Sequence, residues 1–128
     1  MILDSSVFLR ILYREPGWED LLRTIRAASF AGAGTPTLAE TAIALHHRLG
    51  DQAAGMLEGL LDDLDIKEIQ FGEGHWREAV SAFRRFGKGR HPARLNFDDC
   101  LTYATASLSG EPLLYVGDDF ALTDLERA

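Results

Sequence analysis

A single cysteine, a shortage of positive charge and the absence of any apolar run long enough to cross a bilayer set the first limits on this 128-residue chain. Cys100 has no partner for an intramolecular disulfide, which fits a reduced, cytoplasmic setting. Asp4 interrupts the N-terminus before a signal-peptide core can form, so no export and no membrane association are expected. Lys and Arg number 13 against 20 Asp and Glu, and the net charge of −7 argues against nucleic-acid binding over the whole surface, because neutralising phosphate needs cations. The ligands of a usual zinc site are missing too. His46 and His47 are adjacent and cannot share a helical face, while His75 and His91 stand alone. Serine hydrolysis is unsupported, since Ser5 and Ser6 have no histidine placed by sequence to activate them. There is no internal repeat, low-complexity segment or linker, and residues 1–128 are expected to form one domain.

What is present is an alternation of short apolar runs and amphipathic helices. Met1-Ile-Leu-Asp4 predicts a strand ending in an acid, followed by a helix on Val7, Phe8, Ile11 and Leu12. Glu15-Pro16-Gly17 breaks the pattern, and Trp18, Leu21, Leu22 and Ile25 predict a second helix. Gly32 to Gly34 reads as a brief edge strand. A third helix opens at the capping box Thr37-Leu-Ala-Glu40, with Leu38, Ala42, Leu45 and Leu49 on its core face and Gly50 as its stop. Asp51 caps a fourth, faced by Ala54, Leu57, Leu61 and Leu64. Lys67 to Phe71 predicts a strand, and Trp76, Ala79, Val80, Phe83 and Phe86 predict the core face of a fifth helix. A sixth begins near Asn96, with Phe97, Leu101, Ala104 and Leu108 as its buried face. Pro112 to Val116 reads as a buried strand ending in Gly117-Asp118-Asp119-Phe120. Helices alternating with short apolar strands predict an α/β sandwich around a mostly parallel sheet.

That topology gathers acids. Right-handed crossovers put the carboxyl ends of parallel strands on one edge, where ligands bind. Asp4 and the Asp118-Asp119 pair each follow a predicted strand, and helix N-termini on the same side bring Glu40 and Asp99 into reach. Both Glu40 and Asp99 also have a structural role available, each closing a capping-box pattern. Two unit charges about 4 Å apart repel by about 4 kcal/mol at an intermediate dielectric, and a divalent cation removes that penalty. Oxygen ligands suit Mg²⁺ or Mn²⁺, which orient phosphate oxygens and activate water for attack on phosphorus. Between Arg84 and Arg94 lie Arg84, Arg85, Lys88, Arg90, His91 and Arg94 without an acid, a local basic patch leading to the acidic helix start. A phosphodiester in a nucleic acid is the substrate these features suit.

Four segments carry a resemblance to a known family: Asp4-Ser-Ser6, Thr37-Leu-Ala-Glu40, the run from Gly87 through Asp99 to Tyr103, and Gly117-Asp-Asp119-Phe-Ala-Leu-Thr-Asp124. Together they resemble the VapC toxins, PIN-domain ribonucleases of bacterial type II toxin–antitoxin systems, and the resemblance covers nearly the whole chain. It implies a PIN-like α/β/α sandwich with a short, mostly parallel sheet of four to five strands. It implies an endoribonuclease dependent on Mg²⁺ or Mn²⁺ that cuts tRNA, rRNA or mRNA, forms a homodimer and is silenced by a VapB antitoxin. Asp4, Glu40, Asp99 and Asp119 look like its catalytic, metal-binding acids, with Ser6 and Asp118 in support. The basic patch of Arg84, Arg85, Lys88, Arg90 and Arg94 is expected to guide RNA. Three departures stand out: Asp98 where Gly is common, Val116 where Lys is common, and an ending soon after Asp124 that leaves little room for a last strand.

Two rivals compete with this reading. A HAD-type phosphatase also places an Asp after its first strand, but it needs a second acid where Ser6 stands and a Lys motif that is missing. A catalytically silent binding module, its acids serving only as helix caps, is separated from the nuclease by whether Mg²⁺ or Mn²⁺ binds.

Overall fold

The computed structural model describes residues 1–128. Chain order runs β1 (Ile2–Leu3), α1 (Ser5–Leu12), α2 (Trp18–Ala27), β2 (Gly32–Gly34), α3 (Thr35–Leu49), a 3-10 turn (Gly50–Gln52), α4 (Ala53–Asp63), β3 (Lys67–Ile69), α5 (Glu73–Phe86), α6 (Phe97–Ser109) and β4 (Leu113–Leu114). The strands form one all-parallel sheet in the order β3-β2-β1-β4. Alternation along the strands divides the interior into two layers. Leu3 and Leu114 join the α1–α4 side with Val7, Phe8, Leu38, Leu45, Leu57 and Leu61. Ile2 and Leu113 join the α5–α6 side with Ala79, Ala82, Leu95, Tyr103, Ala104 and Phe120. The result is the expected α/β/α sandwich.

The segment 32–34 is an interior strand, not an edge. Its small residues let α6 lie close: a Cβ on Gly34 would sit 2.6 Å from Thr105 Oγ1, so no larger side chain fits. The third helix begins at Thr35, with Gly34 as N-cap and Pro36 in the first turn, where a missing N–H costs nothing. Thr37 is therefore inside the helix and caps nothing. Its hydroxyl pairs instead with Thr102 Oγ1 at 3.0 Å, fully buried between α3 and α6. Asp51 likewise falls within the 3-10 turn, and Gln52 occupies the cap of α4.

The faces of α5 and α6 also differ from the periodic reading. Phe97 is 75% exposed and Leu108 50%, while the small side chains of Cys100, Ala104, Thr105 and Ala106 go inward with Tyr103. On α5 only Ala79 and Ala82 are buried, leaving Trp76, Val80 and Phe83 at the surface. Small residues win the interior because they allow the helices to approach the sheet and each other. The chain's end is shorter than a full strand yet still covers the sheet edge: Leu113 pairs in parallel with Arg127, through Leu113 N–H to Glu126 O at 2.8 Å and Ala128 N–H to Leu113 O at 2.9 Å.

Candidate active site

Asp4 follows β1 directly and caps α1. Its Oδ2 accepts from Ser6 N–H at 3.1 Å and Ser6 Oγ at 2.6 Å, and Ser6 Oγ accepts from Val116 N–H at 3.0 Å. Ser6 thus joins the end of β1 to the segment leaving β4. Glu40 lies in α3, half-buried, with Oε1 accepting from Ser5 Oγ at 3.2 Å. Because Thr37 does not cap the helix, Glu40 has no capping role to account for it. Ser5 was not singled out as a partner from the sequence, and its only signal was its place beside Ser6 in the first turn after Asp4.

Asp99 does belong to a cap. Asn96 Oδ1 accepts from Asp99 N–H at 2.8 Å and Asp99 Oδ2 accepts from Asn96 N–H at 3.0 Å, a reciprocal box that fixes the carboxyl at the start of α6. Asp118 and Asp119 are exposed in the turn after β4. Asp99, Asp118 and Asp119 line a cleft of about 680 Å³ together with Lys88, Arg94 and Asn96. Asp4 and Glu40 are not among the residues lining that cleft.

The acids nevertheless feel one another. Burial, then the charges of Asp98 and Asp4, push Glu40 up from 4.5 to about 7, against the Ser5 hydrogen bond. Burial also raises Asp99 from 3.8 to about 6; its bond from Asn96 opposes this, and the charges of Asp119, Asp4 and Asp98 add to it. Both carboxyls are thus held above the usual carboxylate range, chiefly by burial and in smaller part by the neighbouring acids. Asp98 adds to the negative field as well, acting on Glu40 more strongly than Asp4 does.

No group of three acids, or of acids with Cys or His, stands close enough to form a ready-made metal cage. Asp4, Glu40 and Asp99 each spend one oxygen on a local donor, which holds them in place, and the other oxygen of each makes no hydrogen bond within the protein. An all-oxygen donor set with excess negative charge fits a hard divalent cation such as Mg²⁺ or Mn²⁺.

The basic residues separate into groups. Lys88 and Arg94 reach the cleft beside the acids. Arg94 holds a left-handed backbone, φ 56°, in a loop zipped by Lys88 N–H to Leu95 O at 2.9 Å and Leu95 N–H to Phe86 O at 3.0 Å. Arg90 lies over the Phe83 ring at 5.3 Å, and Arg84 is exposed on the last turn of α5. Arg85 points elsewhere, into Tyr103, Asp124 and Glu78. Cys100 is buried, and burial followed by the charge of Asp99 pushes its thiol up to about 11, which makes it a core filler without nucleophilic character.

The PIN domain family model matches residues 1–125. A VapC ribonuclease of Mycobacterium bovis is 42% identical over 131 residues, spanning 98% of this chain and 91% of the relative. A ribonuclease VapC of Mycolicibacterium smegmatis is 36% identical over 125 residues, spanning 98% and 97%. Among solved structures, Mycobacterium tuberculosis VapC20, described as a Sarcin-Ricin loop cleaving toxin, is similar with a TM-score of 0.79 at 15% identity, covering 99% of this chain and 97% of that one. VapBC2 from Rickettsia felis, bound to a DNA fragment from its promoter, gives 0.78 at 12% identity over 99% and 96%. The two structural likenesses speak to fold. The phosphatase alternative does not survive the family match.

Proposed function

We propose, from the premise that this chain belongs to the PIN-domain family and to its VapC ribonucleases, that it is a metal-dependent endoribonuclease toxin that hydrolyses RNA phosphodiester bonds. The observation that carries this is a cleft lined by Asp99, Asp118 and Asp119 together with Lys88 and Arg94, with the charges of Asp4 and Asp98 acting on both Asp99 and Glu40. In this reading Asp4, Glu40, Asp99 and Asp119 hold Mg²⁺ or Mn²⁺, and Asp118 adds negative charge at the rim. Such an ion supplies a Lewis acid for phosphoryl oxygens and acidifies water. Ser6 fixes the rotamer of Asp4, Ser5 that of Glu40 and Asn96 that of Asp99, so the acids are oriented before substrate arrives.

Lys88 and Arg94 grip the backbone of the RNA, with Arg84 and Arg90 extending the positive surface, while Arg85 is committed to its internal partners. The substrate is RNA of the tRNA, rRNA or mRNA class, and the controlling partner a VapB-type antitoxin. A homodimer is supported by one surface, an entirely apolar groove of about 460 Å³ between α5 and α6 lined by Phe71, Trp76, Val80, Phe83, Phe97 and Leu101, which a second copy would cover. The protein acts in the cytoplasm, consistent with its single buried thiol and with the absence of any helix long and apolar enough to cross a membrane.

The test is expression in a bacterial host of the wild type against Asp99→Asn. Growth arrest with cut RNA for the wild type and neither for the variant is the expected result. Equal growth and equal RNA integrity would overturn the assignment. The silent-module reading draws on the capping role of Asp99, and it predicts that the purified protein binds no Mn²⁺.

A further inference from the structure

Asp119 sits in a segment with no regular secondary structure, so something other than a helix or strand must fix its distance from Asp99. Residues 118–125 form a self-bonded turn. Ala121 N–H donates to Asp118 O at 3.0 Å, Thr123 Oγ to Phe120 O at 2.8 Å and Leu125 N–H to Thr123 Oγ1 at 3.4 Å. Phe120 anchors the turn by burial, its ring edge-on to Tyr115 at 5.3 Å. Within Gly117–Leu125, however, the only hydrogen bonds to the rest of the molecule are those of Asp124. Its Oδ1 accepts from Tyr103 Oη at 2.5 Å and its Oδ2 from Arg85 Nη1 at 3.3 Å.

Tyr103 stands four residues beyond Asp99 on α6, about 6 Å along the same helix face. A closed path therefore runs from Asp99 along the helix to Tyr103, across the hydrogen bond to Asp124, and back through the turn to Asp119. One end of that path is rigid. Tyr103 is 2% exposed, and its hydroxyl also accepts from Arg85 Nη2 at 2.9 Å, which leaves its own proton directed at Asp124. Arg85 is held in turn by Glu78 at 3.3 Å, and Glu78 accepts from Ser107 Oγ at 3.0 Å. Burial, and then the bond to Asp124, push the phenol up to about 12, so it remains a donor throughout the physiological range.

We propose that Tyr103 and Asp124 are positioning residues for the metal site, their hydrogen bond setting where the Asp119 carboxylate stands relative to Asp99. The proposal rests on the reading that these two acids share a cation. Tyr103 and Asp124 lie outside the lining of the cleft that Asp99, Asp118 and Asp119 share; they act by fixing the turn that carries one ligand against the helix that carries the other. Partners that orient metal ligands typically change metal affinity by about 10–100-fold when lost, and a tether acting at one remove belongs below that range, at about three- to tenfold.

The experiment titrates Mn²⁺ into the full chain by electron paramagnetic resonance, with thermal unfolding and RNA cleavage measured on the same samples. The variants are Tyr103→Phe, Asp124→Ala, Asp124→Asn and Asp119→Asn. Tyr103→Phe and Asp124→Ala are expected to weaken Mn²⁺ binding about three- to tenfold, with cleavage restored towards wild type at saturating Mn²⁺. Asp124→Asn keeps an oxygen to accept from Tyr103 and is expected to stay close to wild type. If Tyr103→Phe and Asp124→Ala lower the unfolding temperature but leave the Mn²⁺ constant unchanged, the pair is structural only and the proposal is overturned. Should Tyr103→Phe fail to fold, the two substitutions at the exposed Asp124 carry the same comparison. If the wild type binds no Mn²⁺, or Asp119→Asn binds it equally well, the shared-cation reading itself is wrong and takes this tether's role with it.

Discussion

Replacing Glu40 by Gln is expected to make the metal-free protein more stable at pH 8, although it removes a carboxylate assigned to the site. Burial and the charges of Asp98 and Asp4 raise Glu40 from 4.5 to about 7. A carboxyl with a higher pKa folded than unfolded binds more protons in the folded state. Its ionisation therefore lowers stability as pH climbs from about 4.5 to about 7, and above that range the whole penalty is present. At about 1.4 kcal/mol per tenfold the shift corresponds to about 3 kcal/mol, and solvent screening of a half-buried side chain reduces this to about 1–2 kcal/mol. Gln removes the charge while keeping an oxygen to accept from Ser5 Oγ. In EDTA at pH 8 the unfolding midpoint of Glu40→Gln should rise by about 3–8 °C over wild type, and the gap should close toward zero at pH 4. Saturating Mg²⁺ should reverse the order, because only the intact acid set gains its binding energy. A Gln variant melting with or below the wild type in EDTA at pH 8 would refute the electrostatic reasoning.

Protons should compete with metal for the same groups. Between pH 7.5 and 5.5 Mn²⁺ affinity should fall at least about tenfold as Glu40 and Asp99 take up protons near 7 and 6; calorimetric titrations giving a pH-independent constant would count against both acids as ligands. The double variant Lys88→Glu, Arg94→Glu should weaken RNA binding and lower the steepness of its salt dependence by about two phosphate contacts. An unaltered slope would make the cleft's cations bystanders. Val80→Asp, on the apolar groove, should halve the mass measured by light scattering without lowering the unfolding temperature of the monomer. A wild type already monomeric at micromolar concentration would remove that interface.

Fold class was legible in the chain because it depends on local pattern: apolar runs of a few residues, each followed by an acid or a helix start. Elements whose position depends on packing were harder. Gly32-Ala-Gly34 has no strand propensity, and its interior place follows from the close approach of Thr105. Thr37-Leu-Ala-Glu40 imitates a capping box, whereas Pro36 was the better marker of a helix already begun. Large side chains on α5 and α6 repeat at helical spacing yet lie at the surface, because periodicity reveals a face and not what covers it. Arg85 looked like part of a basic patch, and only the fold shows it turned toward residues up to 39 positions away. The tether between Tyr103 and Asp124 spans 21 positions and leaves no local signature.

The buried hydroxyl pair of Thr37 and Thr102 lies three residues before Glu40 and three after Asp99, pinning together the two helices that carry those acids. The gap between two charged groups is thus set by two uncharged ones. A homologue retaining every acid but carrying Val at either threonine would lose this bond and strand the other hydroxyl in a dry interior between the two helices. Judging which members of such a lineage are competent by counting aspartates and glutamates would therefore overestimate the number that work.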